Sequence, residues 1–306
     1  MENRLIIIDS NALLHRAFHA LPPLTNKSGQ ETGAVYGFLL TLFKAIKDLN
    51  PSHIVACFDT KVKTFRHEKF EAYKAQRPVT PSGIVSQIPI TKEVLEAFKI
   101  PVFAKDGFEA DDLIATICRL TQIKDKDLEI YILTGDLDNL QLVNNKIKVY
   151  TLGKGIKDTV IYDINKVEER FGVKPEQMID FKALMGDPSD NIPGVEGIGK
   201  KTASEIIQKY GTVKNLYDEL STDTAVLKPK VKESLKQNKQ MAIMSLDLVK
   251  MKNDVDIDFS AYGGPAEGWN IKYCEFGKFD ENKVKDKIKE LDFNSLLDKI
   301  GLLKNK

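Results

Sequence analysis

Carboxylates are the side chains whose spacing sets the chemistry of this sequence. The stretch "GFEADDLIA" puts Glu109, Asp111 and Asp112 into four consecutive positions just before an apolar run. Like charges this close repel, and a helix N-terminus favours each carboxylate by only ~0.3–1 kcal/mol. For an isolated "EADD" an acidic helix start is a sufficient reading. Here it is not, because further aspartates stand at the ends of strand-like runs. Asp9 follows "LIII", Asp59 follows "IVACF" and Asp136 follows "IYILTG", with Asp138 two residues on. If those strands are parallel neighbours, their carboxyl ends face one crevice. An oxygen-only cluster with no His or Cys beside it suits Mg²⁺ or Mn²⁺. Two such ions about 4 Å apart can activate a water and stabilise a leaving oxygen in phosphoryl chemistry. Asp187 and Asp190, in "MGDPSDN", read in isolation as turn formers.

These side chains need elements to position them. "RLIIID" predicts a short buried strand, and Ser10 and Asn11 are good helix-cap types ahead of "ALLHRAFHAL". "VYGFLLTLFKAIKDL" and "ITKEVLEAFKI" carry helical periodicity. "HIVACFD", "PVFA", "LEIYILTGD" and "IKVYTL" read as extended. Apolar strands alternating with helices predict a mostly parallel central sheet covered on both faces, an α/β fold over residues 1–164. From 165 to 306 the chain reads as mainly helical, through "INKVEERFG", "PEQMIDFKALMG", "KKTASEIIQKYG", "TVKNLYDEL" and "PKVKESLKQNKQMAIMSLDL", to "ENKVKDKIKELDFNSLLDKIGLL". The Gly/Pro-rich "MGDPSDNIPGVEGIG" interrupts it.

At 306 residues, 42% hydrophobic and 29% charged, the chain is long enough for two domains. No apolar run approaches the ~18–20 residues of a membrane span, and "MENRLIIIDS" is no signal peptide. Three widely spaced cysteines suggest neither a disulfide framework nor a zinc site, so the expectation is a cytosolic protein. The net charge of +1 hides segregation. Lys61 to Arg77 holds six Lys/Arg against two Glu, with aromatics interleaved, and Glu196 to Gln240 holds nine Lys against six acids. Basic regions flanking an acidic cluster suit a polyanion lying across a metal-charged pocket.

"FDTKVKTFRHEKFEAYKAQRP", "FEADD", "TGDLDNLQLV" and "MGDPSDNIPGVEGIGKKTA" together resemble, in order and approximate spacing, the bacterial 5′ nucleases of the flap-endonuclease family. The resemblance runs from "IIIDSNALLHRAFHALP" to "DFNSLLDKIGLL". It implies a metal site made of Asp9, Asp59, Glu109, Asp111, Asp136 and Asp138, with Asp112, Asp187 and Asp190 completing the acid set. It implies a PIN-like 5′ nuclease fold, two Mg²⁺ ions (Mn²⁺ substituting), and hydrolysis of phosphodiesters in flapped or nicked duplex DNA, RNA-primed ends included, by a monomer. Phe108 stands where many relatives have Tyr, and Leu137 where Lys is frequent; neither removes a ligand.

The same resemblance makes residues near 61–90 an arch for the displaced 5′ strand. Lys74 and Arg77, three apart and on one face if helical, would grip the scissile phosphate, and Arg66 and Tyr73 would contact phosphate and base. "GVEGIGKKTA" nearly fits the nucleotide P-loop, but Lys201 stands where Ser or Thr is needed and no strand precedes it. It fits a helix-hairpin-helix near 190–210 better. Gly194, Gly197 and Gly199 let backbone approach a phosphate, Lys200 and Lys201 add salt-dependent affinity, and the family often binds K⁺ there. His15 and His19 lack the Glu of H-E-x-x-H and read as packing or surface residues. A PIN-like ribonuclease would keep the acids without the hairpin or arch, and a non-catalytic DNA-binding module would keep the hairpin without the acids.

Overall fold

A computed structural model describes residues 3–153, 158–262 and 268–303. The chain opens with β1 (Arg4–Asp9), α1 (Ser10–Ala20), α2 (Gly33–Leu49) and β2 (His53–Cys57), followed by α3 (Phe65–Lys69), α4 (Ser82–Val85) and α5 (Gln87–Ala97). Next come β3 (Val102–Phe103), α6 (Ala110–Lys124), β4 (Glu129–Leu133), β5 (Ile147–Leu152) and β6 (Thr159–Tyr162). The strands form one sheet in the order β3-β2-β1-β4-β5-β6, parallel throughout except for β6. The antiparallel β6 is an addition to the sequence reading: "TVIY" alone is too short to be separated from a loop by pattern.

β1 lies at the middle because Leu5, Ile6, Ile7 and Ile8 are all fully buried. Burial of each such side chain contributes about 1.5–3 kcal/mol. Alternate residues feed two cores. Leu5 and Ile7 join α6 and the helical half, while Ile6 and Ile8 join α1, α2 and α5. From β1 the chain builds outward to β2 and β3, then returns to the other side of β1 as β4. That reversal opens a crevice at the carboxyl ends of β1 and β4.

The helical half comprises α7 (Ile164–Phe171), α8 (Met178–Met185), α9 (Lys200–Tyr210), α10 (Val213–Ser221), α11 (Pro229–Gln237) and α12 (Lys239–Val249). The stretch read as one helix, "PKVKESLKQNKQMAIMSLDL", is two, divided at Asn238. The last helices, α13 (Glu281–Glu290) and α14 (Asn294–Ile300), leave the helical half and pack with α2 and α5. No described helix is long and apolar enough to cross a membrane.

Candidate active site

Asp9 ends β1 and caps α1. One carboxylate oxygen accepts from the Ala12 amide at 3.2 Å, and the other accepts from the Thr134 hydroxyl, at the end of β4, at 2.6 Å. Asp59, two residues beyond β2, accepts from the Ala110 amide at 2.8 Å and so ties β2 to the first turn of α6. α6 begins where the acidic pattern placed it, with Glu109 at its N-cap. Asp111, two residues on, accepts from the Asn139 side chain at 2.8 Å. Asp136 and Asp138 share the loop after β4, where the Asp138 amide donates to Asp136 at 2.9 Å. A cleft of about 420 Å³ opens between this loop, Ala12 and Arg16 of α1, and Ser189.

The acids press on one another. Burial lifts Asp9 from its ordinary 3.8 to about 7; the Thr134 bond opposes this, and the charges of Asp59 and Asp136 add to it. Burial, then the Asp9 and Asp136 charges, hold Asp111 well above the carboxylate range. Asp138 also reaches about 7, through burial and the Asp136 charge and against Lys182. Asp59 is raised by burial, with the Ala110 amide opposing. Five carboxylates thus form one electrostatic unit whose members raise one another, opposed by Lys182 at Asp138 and by the charges of Lys74 and Arg77 at Asp59. Among the described residues no three His, Cys, Asp or Glu side chains are already gathered as a cation cage. The all-oxygen donor set nonetheless fits hard divalent ions better than any other group.

Asp138 and the remaining acids are answered by protein cations. Lys182 donates to Asp138 and, at 2.6 Å, to Asp187. Despite burial, Lys182 and Ser189 hold Asp187 below the usual carboxylate range. Asp190 pairs with Arg77 and accepts from the Tyr73 hydroxyl at 3.1 Å. Glu109 takes Lys74 at 2.8 Å and the Tyr73 hydroxyl at 3.2 Å. Burial disfavours the Lys74 charge, but Glu109 and Asp190 outweigh it and raise its pKa. Lys74 and Arg77 are therefore close together, though not on a helix. Lys74 has a left-handed φ of 55°, and its amide donates to the Asp190 carbonyl at 2.9 Å.

Two expected contacts are internal. Asp112 is fully buried, and both its oxygens face Arg66 at 2.8 Å; it also accepts from the Glu109 and Lys252 amides. Its carboxylate is spent on scaffold, so it does not belong among the reacting groups. Arg66, 2% exposed, donates further to the Leu248 and Lys250 carbonyls and has no free edge for a phosphate. Tyr73, 3% exposed, packs with Ile192, Leu248 and Val249 and offers no face for a base.

Gly197 and Gly199 lie in the exposed turn before α9, with open space where a side chain would stand. Gly194 differs: at φ +65°, its added Cβ would fall 2.3 Å from the Gly186 amide nitrogen, so it serves packing within the loop. Lys201 is exposed, while Lys200 donates to the Arg170 carbonyl at 2.9 Å. Sequence reasoning missed Thr134, Asn139 and Lys182. Only Lys182 carried a signal, as a charge within the apolar "MIDFKALM".

A parallel sheet with clustered carboxylates at its switch point, flanked by Lys74 and Arg77 and a Gly-turn-helix element, defines a metal-dependent nuclease class. Residues 4–172 match the 5′–3′ exonuclease N-terminal resolvase-like domain, and residues 173–271 match the 5′–3′ exonuclease C-terminal SAM fold. The chain belongs to the 5′–3′ exonuclease family. It is 38% identical over 304 residues to DNA polymerase I of Bacillus caldotenax, covering 98% of this chain and 32% of that protein. It is 40% identical over 255 residues to DNA polymerase I of Mycobacterium tuberculosis, covering 83% and 28% respectively. The chain thus spans about a third of the length of the relatives it matches. Similar folds include T5 5′-exonuclease with bound zinc (TM-score 0.63, 24% identity, 94% of this chain and 99% of that one). The catalytic core of Rad2 in complex with DNA substrate is another (TM-score 0.62, 19% identity, 99% and 92%).

Proposed function

We propose that this chain is a structure-specific 5′ nuclease that hydrolyses DNA phosphodiesters at 5′ flaps and nicks, clearing displaced or RNA-primed ends in replication and repair. The observation that carries this reading is the mutual repulsion of Asp9, Asp59, Asp111, Asp136 and Asp138 at the carboxyl edge of the parallel sheet. Such a cluster is stable when divalent cations lie among it, and Asp9, Asp111, Asp136 and Asp138 are the residues that would hold Mg²⁺. Ions bound there supply a more acidic water and neutralise charge on the leaving oxygen.

The chain's own side chains do the positioning. Thr134 and the Ala12 amide fix both oxygens of Asp9, and Asn139 fixes one of Asp111. Lys74 and Arg77 present two cations at the mouth, placed to meet the charge that develops on a phosphate in transfer. Tyr73 holds Glu109 and Asp190 in register with them. The open Gly197–Gly199 turn and Lys201 are proposed to grip duplex backbone, with K⁺ accepted among the turn carbonyls.

The test is a labelled 5′-flap duplex incubated with purified monomer and Mg²⁺. Cutting near the junction is expected, with loss in EDTA and in Asp111→Asn. Equal cutting of unbranched single-stranded RNA, without flap preference, would favour a PIN-like ribonuclease. Binding without any cutting would leave only a DNA-binding module.

A further inference from the structure

We infer that Asn139 is a positioning residue: it presents Asp111 to a divalent ion through one oxygen and thereby sets the preference of the site for Mg²⁺ over Ca²⁺. This rests on the metal-dependent nuclease reading above and adds to it a side chain that decides which ion is held.

Asn139 is the second residue of the 3₁₀ turn Asp138–Leu142, which lies beyond β4 and carries Asp138 at its start. It is fully buried, as is Leu140 beside it. Its Nδ2 donates to Asp111 Oδ1 at 2.8 Å, while its own Oδ1 is buried and, among the described residues, has no hydrogen-bond partner. An unmet buried amide oxygen costs free energy that a leucine, of nearly the same shape, would avoid. Packing alone therefore does not call for an amide at this position. What the amide has in return is its bond to Asp111.

That bond settles how Asp111 is presented. Asp9 is held at both oxygens, by the Ala12 amide and the Thr134 hydroxyl. Asp111 is held at one, and no described residue donates to its Oδ2. Turning the carboxylate so that both oxygens met one ion would break the Asn139 bond and leave a buried amide with neither end satisfied. One oxygen per carboxylate suits Mg²⁺, which is small and demands near-octahedral geometry. Ca²⁺ takes more oxygens in looser geometry and accepts both from one carboxylate. The Asn139 bond works against the second mode.

The test follows Mn²⁺ held by the full chain, without DNA, by electron paramagnetic resonance while Mg²⁺ or Ca²⁺ displaces it. The Mn²⁺ affinity cancels in the ratio of the two displacement midpoints. In Asn139→Leu that ratio should move toward Ca²⁺ by about tenfold, a typical effect of removing a group that orients a metal ligand. The urea midpoint in EDTA should stay at the parent's value or rise, because the unmet oxygen is gone. Asn139→Ala removes the same bond, should move the ratio the same way, and carries the test if Asn139→Leu does not fold.

An unchanged ratio in both variants would overturn the assignment, as would a lowered urea midpoint with equal losses for the two ions, the signature of packing alone. A parent that binds no Mn²⁺ and cuts no flap duplex would instead overturn the nuclease reading itself. A parent that binds and cuts, beside variants with its own ratio, would remove only Asn139.

Discussion

Removing the Asp112 carboxylate separates its scaffolding role from metal binding. Asp112→Ala leaves the Arg66 guanidinium, 2% exposed, without its counter-ion. Breaking a buried pair by deleting one partner costs about 3–5 kcal/mol. The Glu109 and Lys252 amides lose an acceptor as well, each worth ~1–3 kcal/mol if left buried and unmet. These costs overlap, so a loss of about 5 kcal/mol is expected, against a total stability of roughly 5–15 kcal/mol. Arg66→Met with Asp112→Leu removes both charges and should be markedly more stable than Asp112→Ala. The assay is urea unfolding in EDTA, so that ion binding adds nothing, paired with single-turnover flap cleavage across a Mg²⁺ titration. The scaffold assignment predicts a lower urea midpoint and, in the fraction still folded, an unchanged Mg²⁺ midpoint. Unchanged unfolding with a large rise in the Mg²⁺ needed for cleavage would refute it.

Other perturbations have equally defined outcomes. Asp9 and Asp138 have folded pKa values near 7 against an ordinary 3.8, so between those values the folded protein binds protons the unfolded chain has released. Stability of the metal-free protein should therefore fall as pH rises from about 4 to 7, and urea midpoints should lose that slope when Mg²⁺ is added. Asp111→Asn relieves repulsion from Asp9 and Asp136, so it should melt a few degrees higher than the parent in EDTA, by roughly 1 kcal/mol, while losing cleavage. Lys74→Met should reduce single-turnover cleavage by about 10²–10³. Gly194→Ala, at φ +65° with backbone 2.3 Å from the new Cβ, should cost at least ~2 kcal/mol in urea unfolding.

Much of the site was legible because strand ends in a parallel sheet are a position that sequence can mark. "LIII" and "IVACF" are short apolar runs closed by an aspartate, and "IYIL" has one three residues on, a recurrence unusual enough to notice. The helix start at Glu109 was equally plain, since three acids precede the apolar run of α6. What sequence left open was direction. Asp111 and Asp112 are neighbours of one type, yet Asp111 faces the other acids and Asp112 faces Arg66. That difference depends on α12 bringing the Leu248 and Lys250 carbonyls to Arg66, a contact 182 or more residues distant in sequence. The arch stretch departs from the conditional helical reading for the same reason, being helix only over Phe65–Lys69. "FRHEKFEAYKAQRP" has a helical look, but Lys74 bonds the Asp190 carbonyl and leaves helical geometry. The helical half was read as helical, but one stretch divides into two helices at Asn238, and nothing local in "ENKVKDKIKELDFNSLLDKI" says which layer it covers.

The return of α13 and α14 to the α/β layer has a consequence for how the chain folds as it is made. Phe279 meets Phe98 with ring centroids 5.1 Å apart, and Phe293 meets Tyr36 at the same separation. Asp292 accepts from the Lys27 amide at 2.6 Å. On the ribosome, α2 and α5 emerge long before these partners, and their apolar faces stay uncovered while the whole helical half is being synthesised. Loop closure over such a span is slow. A ribosome stalled near residue 271 would therefore hold out a nascent chain whose acids are all translated but whose second core is still open, and such a chain is a substrate for chaperones and proteases before it is a nuclease.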